Sequence, residues 1–371
     1  MHEADLPGLT ATVLWAAFAL AVAFGAIAQR THFCTMGALA DIVTLGDWTR
    51  MRMWGMAIGV AMIGFNAMVA LGWVDAANSI YAAPRWTWLS NLIGGLLFGV
   101  GMVLASGCGS KTLVRAGAGN LKSLVVLLVL ALCAYATMRG VLAVVRAATL
   151  DTVVLELPAG QDLPSLLAHA SGAPRRALAP ALGGGLGLGL LGWALRRPEG
   201  RSGGVLLGGL GIGAVVVGVW WVSGCLGFVA EHPVTLEPAF LGTSTRRMES
   251  LSFVAPVAYA MDWLILFSDT RRVLTLGIVS VFGVALGSAL VALGSGRFRW
   301  EGFAGAEDTA NHIVGAALMG AGGVTALGCT IGQGLSGVST LALGSFAALG
   351  GIVAGGVLGL RYQAWRVERS L

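Results

Sequence analysis

The sequence predicts an all-α polytopic membrane protein with about nine transmembrane helices in two inverted repeats. Three observations support this fold class. The chain of 371 residues is 56% hydrophobic and only 11% charged, whereas a soluble domain carries about 25% charged residues. Apolar runs recur from one end to the other, and crossing a bilayer takes ~20 apolar residues. Glycine is abundant, with 57 residues, as expected where helices pack closely in lipid.

The apolar runs place the predicted spans in order along the chain. The acidic start, MHEADLPG, lacks the basic residues of a signal peptide, so we expect the first run to be kept as a helix. The predicted spans cover about 8–29, 51–73, 87–107, 121–146, 176–195, 203–223, 272–294, 310–328 and 342–361.

Four of the five cysteines begin interruptions between apolar runs. Cys34 lies in FCTMGALADIVTLGD, Cys108 in GCGSKTLVRAGAGN, Cys225 in GCLGFVAEHPVTLEP and Cys329 in GCTIGQGLSGVS. Non-helical backbone at membrane depth is tolerated only where it is buried in protein or lines a cavity. The segments after Cys34, Cys108 and Cys329 are therefore predicted to be short re-entrant helices that carry these thiols towards the midplane. Cys133 lies inside an uninterrupted run and is interpreted as a packing residue.

The order of these four cysteines indicates an internal repeat, with Cys34 and Cys108 matched by Cys225 and Cys329. The second pair is more widely spaced, which fits the insert ESLSFVAPVAYAMDWLILFSD. A single connecting span inverts the second copy relative to the first, as in many transporters. The predicted units are a first repeat, an outer loop with a linker helix, and a second repeat, at 1–150, 151–202 and 203–371.

Basic residues cluster at alternate ends of the predicted spans, which favours one orientation. Nine spans place every cluster in the cytoplasm, the N-terminus outside and the C-terminus inside, with the acidic stretch around Asp151 outside. Arg271 and Arg272 would then be external, unless 251–268 also spans. The clusters comprise Arg30, Arg50, Arg52, Lys111, Arg115, Lys122, Arg196, Arg197, Arg201, Arg361, Arg366 and Arg369.

Cysteines at the start of re-entrant helices are candidates for binding a substrate. A helix N-terminus carries partial positive charge and free N–H groups, so it attracts anions. Lys111 follows Cys108 and adds a full charge, and Gln333 follows Cys329 and adds amide groups. The predicted substrate-binding residues are Cys34, Cys108, Cys329, Cys225, Lys111 and Gln333.

Plainer interpretations stay open for several of these residues. Any one cysteine could be a small packing residue, and Lys111 could extend to the lipid headgroups. His32 is more consistent with capping or an interfacial contact than with ligand binding, and His232 with a loop position.

The residue types indicate the chemistry of the substrate. A thiol is a weak donor and a soft, polarizable acceptor, so it suits a ligand that also presents sulfur. An anion with a terminal sulfur would use both the thiols and the helix N-termini. Phosphate or sulfate would more naturally recruit arginines and hydroxyls.

Four motifs resemble the YeeE/YedE sulfur-transport family, whose members import thiosulfate. They are HFCTMGAL (32–39), SGCGSKTLVR (106–115), ESLSFVAP (249–256) and GCTIGQGLS (328–336). The resemblance implies inverted repeats narrowing at the middle, a multi-pass protein of the bacterial inner membrane, and transport past Cys34, Cys108 and Cys329. Cys225 matches less closely. The resemblance also implies a separate cytoplasmic partner, a TusA-like sulfur carrier or a rhodanese-like protein.

The leading hypothesis is therefore a thiosulfate permease that is not an enzyme and uses no cofactor, metal or nucleic acid. GCGSKT lacks the first glycine of a phosphate-binding loop, and no CxxC pair occurs. One alternative is transport of another sulfur or selenium species. Another is a membrane-embedded thiol sulfurtransferase that forms a persulfide. A third is a soft-metal transporter using cysteine with Met36 and Met319, which the lack of clustered Cys–His spacing disfavours.

Overall fold

The computed structural model describes residues 5–370, and most of the chain there is helical. Four two-residue strands form two small antiparallel pairs, Arg85–Trp86 (β1) with Leu155–Glu156 (β2) and Phe228–Val229 (β3) with Ala239–Phe240 (β4). The helices are α1 (Leu6–Thr31), α2 (Thr35–Leu45), α3 (Thr49–Ala70), α4 (Trp88–Leu104), α5 (Gly109–Gly117), α6 (Leu121–Arg139), α7 (Val141–Ala148), α8 (Leu163–Ser171), α9 (Arg175–Leu195), α10 (Gly203–Trp221), α11 (Ala255–Ile265), α12 (Leu276–Gly294), α13 (Ala306–Thr325) and α14 (Leu343–Ser370).

Within residues 5–370, eight helical segments are long and apolar enough to cross a membrane. This confirms the all-α polytopic fold. The remaining predicted span, 310–328, corresponds to α13, which has 20 residues but has the acidic Glu307 and Asp308 in its first turn. At 1.5 Å per residue, a helix of that length is about 30 Å long, enough to cross the hydrocarbon core. The eight segments are Leu6–Leu45, Thr49–Ala70, Trp88–Gly117, Leu121–Arg139, Arg175–Leu195, Gly203–Leu226, Leu276–Gly294 and Leu343–Arg369.

Three helices end in the same backbone turn, and a cysteine comes after each turn. His32, Ser106 and Leu327 have φ angles of 54°, 57° and 60°, although none is glycine. The next N–H group closes the turn by donating to the carbonyl five residues earlier: Phe33 to Ala28 at 3.2 Å, Gly107 to Met102 at 2.8 Å, and Gly328 to Gly323 at 2.8 Å. This is the Schellman pattern, which satisfies carbonyls at a helix end.

The conformation of the chain after the cysteine differs between the turns. Cys34 and Cys108 are extended N-cap residues of α2 and α5, as the re-entrant prediction requires. After Cys329 the chain forms a π-helical turn, Gly332–Gly337, rather than a regular α-helix. Cys225 is different again, because it lies inside a π-helical turn, Val222–Leu226, that continues α10 and leads into β3.

Helix packing has the same pattern in the two halves. α1 packs against α10 and α12, while α10 packs against α1 and α3; similarly, α4 packs against α13 and α14, while α13 packs against α4 and α6. Two copies related by a twofold axis would produce this pattern. The matching helices would be α1 and α10, α3 and α12, α4 and α13, and α6 and α14.

The packing also changes one sequence-based pairing. α2 packs against α3 and α14, and α11 packs against the matching helices α12 and α6, so α11 is the counterpart of α2. Both have 11 residues, and both come shortly after a phenylalanine, Phe33 or Phe253. The counterpart of Cys34 is therefore Val254, not Cys225. The sequence comparison paired the cysteines because it aligned identical residues and ignored the intervening loop.

The ends of the helices define two faces. The basic face contains the ends of α1, α9, α12 and α14 and the starts of α3, α6, α10 and α13, and hence the four predicted basic clusters. Lys122 pairs there with Asp308 at 2.8 Å. The opposite face contains the acidic stretch around Asp151 and the insert. α11 covers the middle of 251–268, and Asp262 on it pairs with Arg272 at 3.0 Å, so the charge of Arg272 on this face is compensated.

Glycine lets the central helices touch through their backbones. A Cβ atom built on Gly101 of α4 would lie 2.6 Å from the carbonyl oxygen of Gly315 on α13, and one on Gly94 would lie 2.7 Å from that of Gly322. Gly189 of α9 has no atom within 4 Å of its Cβ position. The packing therefore requires glycine at Gly94 and Gly101 but not at Gly189.

We expect Gly101→Leu to destabilise the protein and Gly189→Leu to leave its stability unchanged or higher. The first side chain overlaps backbone, and overpacking of this kind costs ~1–3 kcal/mol or more. The second gains helix propensity worth about 1 kcal/mol at most. Thermal unfolding of the detergent-purified variants, followed by size-exclusion chromatography after heating, measures both. Equal losses for the two variants would contradict the packing argument.

Candidate functional site

Three cysteines from different parts of the chain meet at the centre of the helical bundle. Cys34, Cys108 and Cys329 are 6%, 1% and 0% exposed. The Cys108 side chain is a neighbour of the Cys34 side chain and of the Thr330 hydroxyl, and lies 3.3 Å from the hydroxyl of Ser110. The three thiols therefore form a cluster, as the sequence predicted for these residues.

The backbone around the thiols supplies N–H groups. The Gly37 N–H donates to the sulfur of Cys34 at 3.4 Å, and the Gly332 N–H donates to the sulfur of Cys329 at 3.4 Å. Cys108 caps α5, whose first turn leads directly to Lys111. A short helix or helical turn thus begins beside each sulfur, and its partial positive charge favours an anion there.

Several polar side-chain atoms beside the thiols are buried without a partner. Among the residues the structure describes, the Thr35 and Thr330 hydroxyls and the Gln333 side-chain carbonyl have no hydrogen bond. Leaving such a group unpaired costs ~1–3 kcal/mol. These atoms lie next to Cys34, Cys329 and the turn after it, so the cluster has unused capacity to hydrogen-bond a polar molecule.

A cavity on the opposite face leads to the thiol cluster. It has a volume of about 560 Å³ and reaches Gly328, the residue before Cys329. We call it the Glu249 cavity. Glu249 lines it together with charged or polar residues that comprise Tyr81, Arg139, Arg146, Ser244, Thr245, Arg247, Ser250, Ser252 and Tyr259.

A second cavity opens on the basic face, and Lys111, three residues after Cys108, lines it. It has a volume of about 300 Å³, and we call it the Lys111 cavity. Lys111 is half-buried there and makes no ion pair among residues 5–370. His32, two residues before Cys34, also lines this cavity. The remaining lining residues are Gln29, Arg115, Ala118, Asn120, Arg297, Arg299 and Glu301.

The other predicted residues fall into two groups. Gln333 is buried beside Cys329, and its backbone N–H donates to the Cys329 carbonyl at 2.7 Å. Cys225 is partly buried against the core, next to Gly224, which lines a different cavity on the opposite face. The structure does not bring Cys225 into the thiol cluster. Cys133 packs against Gly320 of α13, and His232 accepts a hydrogen bond within its own loop.

The sequence interpretation missed some residues that the structure places at the site. Thr330 beside Cys108 and Tyr81, whose hydroxyl donates to the Gly332 carbonyl at 2.6 Å, carried no distinctive spacing. Glu249 and Ser252 belong to the ESLSFVAP motif. The sequence feature that could have indicated the Glu249 cavity is the position of Glu249, an acidic residue at the start of an apolar insert.

Fold and site together define a polytopic membrane transport protein with a buried thiol cluster between two cavities on opposite faces. Residues 30–358 match the sulphur transport family, and the chain belongs to this family. This confirms the family resemblance given by the four motifs. Within residues 5–370, no group of three or more His, Cys, Asp or Glu side chains is arranged to hold a metal ion.

Relatives with curated names are transporters. The chain is 27% identical over 315 residues to the thiosulfate transporter TsuA of Escherichia coli (strain K12), covering 84% of this chain and 83% of that protein. It is 26% identical over 347 residues to the thiosulfate transporter TsuA of Spirochaeta thermophila, covering 91% and 94%. A shorter match, 35% identical over 103 residues, is to the probable transporter YedE of Salmonella typhimurium, covering 27% and 23%. These names confirm a non-enzymatic transport protein.

We expect one equivalent of Hg²⁺ to bind the Cys34–Cys108 pair, because their side chains are neighbours and thiolates are soft ligands. Mass spectrometry after denaturing alkylation should show these two cysteines protected together and Cys133 alkylated as in the untreated protein. In a Cys34→Ser variant, protection of Cys108 should weaken. Protection of Cys108 unchanged by that substitution would contradict the pairing.

Proposed function

We propose that this protein is a bacterial inner-membrane permease that imports thiosulfate past Cys34, Cys108 and Cys329. The observation behind the proposal is the position of the thiol cluster, which lies between an arginine-lined cavity on one face and the Lys111 cavity on the other. The names of the two relatives that match most of the chain support the substrate.

The charges of the two cavities support a route for an anion. Arg139 and Arg247 line the Glu249 cavity without an ion-pair partner among residues 5–370, so they can compensate an entering anion. From this cavity the ion would pass Cys329, then Cys108 and Cys34, to reach the Lys111 cavity. Lys111 lies close enough to both Cys34 and Cys108 to attract the ion forward.

Neutral thiols at the narrowest part of the proposed route would allow the anion to be released as well as bound. Burying an unpaired charge costs several kcal/mol at least. An arginine fixed there would offset this cost but would hold the ion, and conduction requires sites weak enough to leave. An S–H group meeting the terminal sulfur of thiosulfate, backed by helix N–H groups, gives a weak site at each step.

The orientation follows from the two faces. The basic face contains the four basic clusters and is proposed to be cytoplasmic, since loops rich in Lys and Arg stay inside. The start of α1 is then outside, the end of α14 is in the cytoplasm, and the Glu249 cavity is external. The exchange of packing partners between the halves supports the division into inverted repeats at 1–150 and 203–371, joined through 151–202.

A cytoplasmic sulfur carrier, TusA-like or rhodanese-like, remains a proposed partner. It would receive the anion at the mouth of the Lys111 cavity. The alternatives to thiosulfate, another sulfur or selenium species, would use the same thiols. A membrane-embedded sulfurtransferase would differ in chemistry, because it requires a persulfide on one of the cysteines.

We expect Cys108→Ser and Cys329→Ser to lower thiosulfate uptake by roughly tenfold or more, equivalent to ~1.4 kcal/mol. A hydroxyl replaces the soft sulfur that meets the substrate. Cys133→Ser should leave uptake nearly unchanged, and Cys225→Ser should have a smaller effect than the cluster variants. Uptake of ³⁵S-thiosulfate into proteoliposomes, at equal protein content, measures this.

The same preparations separate transport from sulfur transfer. In a permease the cysteines remain thiols during turnover, and mass spectrometry of trapped protein finds no persulfide. A persulfide on Cys34, Cys108 or Cys329 that forms and clears at the uptake rate would favour the sulfurtransferase.

We expect Ser171→Cys to react with a membrane-impermeant maleimide in intact cells and Ser202→Cys to react only after lysis. Both serines are exposed; Ser171 ends α8, just before α9, and Ser202 follows α9 at the start of α10. The variants are matched in residue type and burial. Labelling of Ser202→Cys alone in intact cells would reverse the proposed orientation.

A further inference from the structure

Glu249 is a buried carboxylate that has no cationic partner among the residues the structure describes. Its residue is 6% exposed. The carboxylate accepts only weak hydrogen bonds from neutral donors: the Ser244 N–H and hydroxyl and the Thr245 hydroxyl, all at 3.3 Å. Within residues 5–370 it forms no ion pair. Burial accordingly raises the pKa of Glu249 to about 7.

Other buried acids of the opposite face are compensated. The Asp162 side chain, 4% exposed, pairs with Arg175 at 3.3 Å, and the Asp262 side chain, 10% exposed, pairs with Arg272 at 3.0 Å. Glu249 lacks such a partner although three arginines line the same cavity. Arg139 and Arg247 form no ion pair among residues 5–370 and are therefore available to another charge in the cavity.

The charged and titratable groups that face the cavity come from α6, α7, α11 and the loops before α4 and α11. Arg139 is the last residue of α6, and Arg247 lies in the loop before α11. Neither has an ion-pair partner among the described residues. Arg146 of α7 is already paired with Asp151 at 3.3 Å. Tyr81 and Tyr259 also line the cavity and are neutral near pH 7. The unpaired charges in the cavity are thus the two positive charges of Arg139 and Arg247 and, when Glu249 is ionised, its own negative charge.

We infer that an oxyanion entering this cavity binds together with a proton, which Glu249 takes up from the water on that face. With a dianion present and Glu249 ionised, the cavity would hold one excess negative charge. With Glu249 protonated, Arg139 and Arg247 balance the dianion. A second negative charge in a partly desolvated site favours the neutral carboxyl.

This inference rests on the proposed route for thiosulfate, but it concerns a property that the route does not require. No covalent bond forms: one proton moves from water to the Glu249 carboxylate when the anion arrives and returns to water when the carboxylate ionises again. By linkage, proton binding and anion binding then strengthen each other.

The pH dependence has a definite sign. Protonation favours anion binding, so affinity is highest and constant below the pKa of free Glu249, at about pH 7. Above it the affinity falls, by up to about tenfold between pH 6 and pH 8 if the occupied site keeps its proton throughout. Thiosulfate itself is a dianion across this range, so the substrate contributes no titration.

Isothermal titration of the full-length protein in detergent with sodium thiosulfate tests the inference. Titrations at pH 7.5 in Tris and in HEPES, whose ionisation enthalpies differ, give the number of protons bound per anion. We expect between roughly half and one proton for the natural protein. Glu249→Gln keeps the side-chain shape and should bind thiosulfate with no proton uptake and no loss of affinity at pH 8.

Two further variants complete the test. Glu237→Gln alters an exposed glutamate of the same loop region and should keep the natural proton uptake. Glu249→Asp retains a titrating carboxyl and should restore proton uptake, which a purely structural role for Glu249 would not explain. Thiosulfate binding without proton uptake in the natural protein, or uptake unchanged in Glu249→Gln, would overturn the inference and leave the permease intact. Absence of both binding and uptake into proteoliposomes would instead overturn the proposed function.

Discussion

The structure depends on how a helix ends inside a membrane. Where no water reaches the backbone, its N–H and C=O groups have to find partners in the protein. The turns at His32, Ser106 and Leu327 meet this requirement for the carbonyls of α1, α4 and α13 by closing a hydrogen bond back into the helix. The chain then starts again with free N–H groups beside a cysteine. One type of turn therefore supplies both the break in the helix and the N–H groups of the proposed binding site.

These turns come together because the helices that carry them pack closely. α4 and α13 approach until backbone meets backbone at Gly101 and Gly315. Since a side chain at those positions would separate the two helices, it would also move Cys108 away from Cys329. Abundant glycine is thus a requirement of the site as well as of lipid-embedded packing.

Charge is distributed unevenly between the two cavities and the thiol cluster, and this has a physical consequence for the proposed route. Arginines and Lys111 lie in the two cavities, where water reduces the cost of a charge, while the buried centre offers thiols, hydroxyls and backbone N–H groups. An anion is attracted to either end and meets only weak partners between them. Thr35, Thr330 and Gln333 extend this weak binding with polar atoms that the protein leaves unpaired.

The sequence by itself determined the helical class and the approximate position of the spans, and it indicated Cys34, Cys108, Cys225 and Cys329 as candidate site residues. It could do so because hydropathy and a glycine-flanked break are local features. Only the tertiary structure decided which cysteines belong together. Cys225 resembled the others in composition, yet it continues α10 in a π-helical turn and lies outside the cluster, while Val254 occupies the position that matches Cys34. The presence of Glu249 and Arg139 in one cavity, and the contact of Thr330 with Cys108, likewise arise between remote segments, which no local pattern encodes.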